Sequence, residues 1–190
     1  MTALLLGLVV FLGVHSVAIV APAWRDAQVA RHGELPWKGL YALASAAGFA
    51  LVVSGYAQAR QQPVVLWVTT AGLRHAALAL MLPVFPLLLA TYLPGRLQTA
   101  AKHPMLLATQ LWAVAHLLTN GTLADVLLFG GFLAWAVADR VSLQRRTPRR
   151  VPGAPAGPLN DAIALVGGLG IYAVFVLWAH AALIGVAPLG

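Results

Sequence analysis

Apolar residues run along the chain in blocks of 16 to 27 positions, separated by short stretches rich in Arg, Pro, Gly and Asn. A helix rises about 1.5 Å per residue, so about 20 such residues are needed to cross about 30 Å of hydrocarbon. On that measure the pattern predicts six spans, at 2–21, 38–59, 66–92, 104–119, 122–139 and 161–187. The fourth is short for a full crossing, and Thr119, Asn120 and Gly121 join it to the fifth by a tight turn, so 104–139 reads as a helical hairpin. Pro83 and Pro86 predict a break inside the third span, because each removes an amide donor and clashes with the preceding turn. Small residues at Ala44, Gly48, Gly130, Gly131, Gly167, Gly168 and Gly170 allow helix backbones to approach closely. The expected fold is an all-α polytopic membrane bundle in which residues 1–190 form a single transmembrane domain.

Composition agrees: 61% of the 190 residues are apolar and 9% charged, far from the proportions of a soluble domain. With no Cys, disulfides, thiolate metal sites, the C-x-x-C-H haem attachment and cysteine nucleophiles are all excluded. No H-E-x-x-H motif occurs, and of five acidic residues only Asp125 lies near the bundle, so zinc hydrolysis and carboxylate-pair chemistry lack their groups. A net charge of +7 would suggest nucleic acid in a soluble protein. Here membrane topology accounts for it. Arg25, Arg31, Lys38, Arg96, Lys102, Arg140, Arg145, Arg146, Arg149 and Arg150 follow spans one, three and five, while Arg60 stands alone on the other face. The positive-inside rule then makes the Pro/Arg-rich loop 140–160 cytoplasmic and puts both termini outside. Within that loop, 148–158 (PRRVPGAPAGP) has no apolar period and is expected to be mobile and partly extended. The first span has no basic leader and carries a His, which argues against a cleaved signal peptide.

Ionisable groups are costly in lipid, which makes His15, Arg74, His75, His116 and His180 the informative positions, with Asp125 and Asn120 near a membrane edge. One buried His is commonly a neutral ring bonded to a neighbouring helix. Four on four spans suggest a shared ligand, since a neutral imidazole offers haem iron or another transition metal a lone pair without burying charge. Measured along straight helices from the outer face, His116 lies roughly 6 Å deep, His180 roughly 10 Å, His75 roughly 13 Å and His15 roughly 20 Å. Trp112, His116 and Asn120 share one helix face, so Asn120 can bond the imidazole, a role that a carbonyl one turn back would also fill. Arg74 calls for an anion, either Asp125 or a cofactor carboxylate, unless it snorkels to the interface.

Ordered motifs cover nearly the whole chain: G-V-H-S at 13–16, R-H at 74–75, K-H-P-M at 102–105, W-A-V-A-H-L-L-T-N-G at 112–121 and F-G-G-F-L-A-W at 129–135. In these the chain resembles the NnrU family of bacterial membrane proteins, which also includes plant zeta-carotene isomerase. The resemblance implies a multi-pass protein of the bacterial inner membrane that binds haem b through His15 and His116, with His75 and His180 as alternates and Arg74 and Asn120 nearby. It further implies an association with denitrification, and redox sensing or isomerisation of a small apolar substrate. The plant enzyme has a Cys three residues before its second haem histidine, and Ala113 stands there in this chain, so a thiolate ligand switch is impossible. Straight helices also place His15 deeper than His116 by roughly 14 Å; a haem lying nearly parallel to the membrane or a shifted first helix brings the two together, and otherwise His75 or His180 is the better partner for His116. Two other readings compete. K-H-P-M is similar to the R-H-P motif of membrane methyltransferases that use S-adenosylmethionine, although the acidic residues those enzymes place after the hairpin are replaced here by Ala138, Asp139, Arg140 and a basic run. A non-catalytic assembly or scaffold protein would use the histidines only to bond helices.

Overall fold

A computed structural model describes residues 1–146 and 151–189. The first helices are α1 (Thr2–Val20), α2 (Pro22–His32), α3 (Glu34–Ala59), α4 (Ala71–Met81) and α5 (Val84–Ala90). They are followed by α6 (Arg96–Ala101), α7 (Pro104–Thr119), α8 (Leu123–Ser142), α9 (Asn160–Val174) and α10 (His180–Ile184). A π-helical stretch, Phe175–Ala179, joins the last two. Four segments are long and apolar enough to cross a membrane: Thr2–Val20, Glu34–Ala59, Ala71–Ala90 and Asn160–Ile184. Only 17 to 22% of the most apolar stretch of each is buried within the protein. The rest is exposed or half-buried, which suits helices that meet lipid.

The sequence pattern and the structure differ in particular places. The third span starts at Ala71 rather than 66, because residues 64–67 form an extended stretch: Val65 bridges Thr122, and the Leu66 and Trp67 amides donate to Gly121 O at 2.7 and 3.1 Å. The break predicted by Pro83 and Pro86 falls between Met81 and Val84. α7 occupies 104–119 as expected but is short, and α8 carries Asp125, Asp139 and Arg140 within its 20 residues. α2 has no counterpart among the predicted spans, since five of its 11 residues are polar or charged. The loop after α8 is shorter than 140–160, because the helix continues to Ser142. Its later part is not free either: Ala154 N donates to Tyr92 O at 2.8 Å, and Asn160 Nδ2 donates to Pro155 O at 3.0 Å and Pro94 O at 2.9 Å. Arg149 and Arg150, and the mobility expected around them, lie outside the described residues.

The chain divides into two compact units, the first Met1–Val68 with Asn120–Arg145 and the second Thr69–Thr119 with Arg146–Gly190. The two helices of the expected hairpin thus belong to different units. In the first unit α1 packs on α3 and α8. A Cβ on Gly7 would sit 2.5 Å from Val52 N, one on Gly48 2.8 Å from Phe11 N, and one on Gly55 would overlap the Leu4 backbone. Backbone lies against backbone there, so glycine is what the α1–α3 contact requires. In the second unit α4 and α5 pack on α7, and α5 on α9. Gly168 meets Pro86 in the same way. Alanines are fully buried in both units, Ala136 in the first and Ala90, Ala108, Ala113 and Ala164 in the second. Among the described residues Leu4 is the large side chain that is completely covered.

Candidate functional site

His15 lies on α1 in the first unit. Its Nδ1 is 2.7 Å from Phe11 O, one turn back. A carbonyl only accepts, so Nδ1 carries the proton and the lone pair of the neutral ring is on Nε2. Three aromatic side chains surround the imidazole: Phe11 at 4.3 Å, Tyr41 at 5.2 Å and Trp135, edge to face, at 5.9 Å between ring centroids. The Trp135 Nε1 donor is buried without a hydrogen-bond partner among the described residues.

His116, on α7 in the second unit, repeats the device. Its Nδ1 is 2.8 Å from Trp112 O, and the Trp112 ring lies 5.2 Å away. Each of these two histidines therefore has an aromatic residue four positions earlier, whose carbonyl fixes the tautomer and whose ring packs on the imidazole. His180 belongs to the same unit. Its ring centroid is 6.5 Å from that of His116 with the planes 28° apart, and its Nδ1 is 2.6 Å from Val186 O.

The remaining sequence candidates lie on α4, on α8 and just past the end of α7. Arg74 and His75 are exposed on the first turns of α4. Asp125, 4% exposed, is committed within the first unit: Oδ1 accepts from the Tyr56 hydroxyl at 2.5 Å, and Oδ2 accepts from Thr122 N at 2.8 Å and Oγ1 at 2.6 Å. Those contacts cap α8. The Arg60 guanidinium sits 5.9 Å above the Tyr56 ring. Asn120 lies one residue past the end of α7. The carbonyl of Trp112, the other support considered for His116, holds Nδ1. Lys102, at φ 60, makes the turn into α7 with His103 and Pro104.

Sequence reasoning missed Tyr41, Trp135, Val186 and the π-helical stretch. The first two surround His15 only after folding. The paired F-L-G-V-H and W-A-V-A-H strings, with the aromatic at the same offset from each His, were a visible signal.

Chemically, the carbonyl bonds of His116 and His180 in the second unit put the lone pair of each neutral ring on Nε2, and among the described residues no three His, Cys, Asp or Glu gather to hold a bare ion. That donor set suits a group that brings most of its own ligands, as haem does. No curated protein and no solved structure matches the chain. The family model described as NnrU protein matches residues 3–188, nearly the whole length, and the chain belongs to the NnrU family.

Proposed function

We propose that this NnrU-family membrane protein binds haem b with His116 as a ligand, in a bacterial inner membrane, and serves nitrite and nitric oxide metabolism as a redox-responsive protein or an isomerase of an apolar substrate. The observation that carries the reading is the Nδ1–carbonyl lock on His116, at 2.8 Å from Trp112 O. A ligating histidine needs its other nitrogen held so that the ring keeps one tautomer and one direction, and such a support also raises its basicity. His15 has the same lock, and it is the second histidine that the family resemblance implies. When bound, haem would supply one-electron chemistry, with His116 among the residues that would hold it. The chain's own part is to fix the rings and to exclude water with alanine-lined helices such as α7, where Ala108 and Ala113 are fully buried.

The test is the pyridine haemochrome of the purified full-length protein. About one haem b per chain is expected. A protein that expresses, folds and carries none even after supplementation with haem contradicts the reading.

A further inference from the structure

Within the first unit, α1 and α3 change the way they meet along their length. At Gly55 and Gly48 backbone lies on backbone, against Leu4 and Phe11. Tyr41 and Ser45 share the helix face of Gly48, and toward the start of α3 rings replace that close approach, with Tyr41 meeting His15 at 5.2 Å between centroids. From α8, Phe132 reaches Phe11 at 5.7 Å and Trp135 reaches His15 at 5.9 Å.

This cluster holds polar atoms that the chain does not satisfy. Trp135 Nε1 and Ser45 Oγ are buried without a hydrogen-bond partner among the described residues. His15 Nε2 carries the lone pair of the neutral ring, because Nδ1 holds its proton against Phe11 O at 2.7 Å, and it accepts no hydrogen bond among the described residues. A polar group left unpaired away from water is costly, most of all inside a membrane, so such groups call for a partner. Their kinds are complementary. Trp135 Nε1 only donates and His15 Nε2 only accepts. One hydroxyl group answers both, its oxygen accepting from Trp135 and its proton going to His15.

The surroundings select what carries that hydroxyl. Phe11, Tyr41 and Trp135 enclose the imidazole, and Phe11 also packs at 6.1 Å on Phe49, which is 55% exposed on a helix long and apolar enough to cross a membrane. The rings thus run from the unsatisfied atoms to a surface that lipid covers, and an aromatic molecule arriving from lipid finds ring contacts along the way. We propose that the His15–Trp135 cluster binds a lipid-soluble phenol or hydroquinone, its ring among Phe11, Tyr41 and Trp135 and its hydroxyl between Trp135 Nε1 and His15 Nε2. Ser45 Oγ is a further partner for the same oxygen. The site draws on the first unit alone and is independent of the haem reading of His116.

The experiment is calorimetric titration of the full-length protein in nanodiscs, with protein-free nanodiscs as the blank, using para-hexylphenol and its methyl ether. The ether keeps the ring and the oxygen but has no proton for His15, so it should bind about tenfold more weakly than the phenol. Trp135→Phe and His15→Phe each keep a ring and remove the nitrogen, and each should weaken phenol binding about tenfold. Trp178→Phe, a change at an exposed ring of the second unit, should bind as the wild type does. Equal binding of phenol and ether overturns the proposal. So does phenol binding unchanged in either ring variant, or a loss shared by Trp178→Phe. A folded wild type that binds no phenol overturns it as well, with water alone then serving the polar atoms.

Discussion

The two units orient a histidine in the same way and then surround it differently. His15 and His116 each bond the carbonyl of an aromatic residue one turn back. In the first unit the imidazole faces Tyr41 and Trp135; in the second it faces another imidazole, 6.5 Å away. An aromatic enclosure positions a ring and adds packing energy, whereas a facing imidazole adds a second lone pair. The orienting device is shared, so the two units differ in what lies opposite the ring.

The largest expected effect concerns the packing common to both units. Gly55→Val in the first and Gly168→Val in the second would drive side-chain atoms into the Leu4 and Pro86 backbones. Each should cost about 3 kcal/mol, read as thermal unfolding in detergent. Equal tolerance of both would show that the close approaches are not what holds the units. Next comes the buried carboxylate peculiar to the first unit. Tyr56→Phe removes one of the donors to Asp125 and should cost about 2 kcal/mol without altering cofactor content. A loss of cofactor in that variant would break the separation between the two regions.

His15→Gln should cost about 1 kcal/mol through its lost ring contacts. If it empties the protein of haem instead, the enclosed histidine is a ligand and the contrast fails. The smallest effect belongs to Gly130→Ala and Gly170→Ala, where a Cβ meets nothing within 4 Å. Both sit within helices and should gain up to about 1 kcal/mol from helix propensity alone.

Much of this was legible from the order of residues. Lengths of apolar sequence marked α1, α3, α7 and α8 closely, and Pro83 and Pro86 located the break between α4 and α5. The start of α4 was misplaced because Val64, Val65, Leu66 and Trp67 are as apolar as a span yet bond the backbone at 121–123 in an extended form, a long-range choice that no local pattern reveals. α2 was missed because a search for long apolar runs passes over short polar helices. At the site, chemistry was easier to see than placement. His15, His116 and His180 stood out by residue type, but a depth estimate along straight helices contained no π-helical turn at Phe175–Ala179 and no reversal at Gly185. Asp125 was offered to Arg74 on charge alone; its commitment to Tyr56 and Thr122 depends on α3 and α8 meeting in the fold.

The most direct test of the central claim is the absorption spectrum of His116→Gln beside the wild type, at matched protein concentration and with folding checked by circular dichroism. Gln keeps polarity and approximate reach but has no imidazole nitrogen. The account predicts a Soret band in the wild type and its loss from an otherwise folded variant, and a full Soret band in His116→Gln would contradict it.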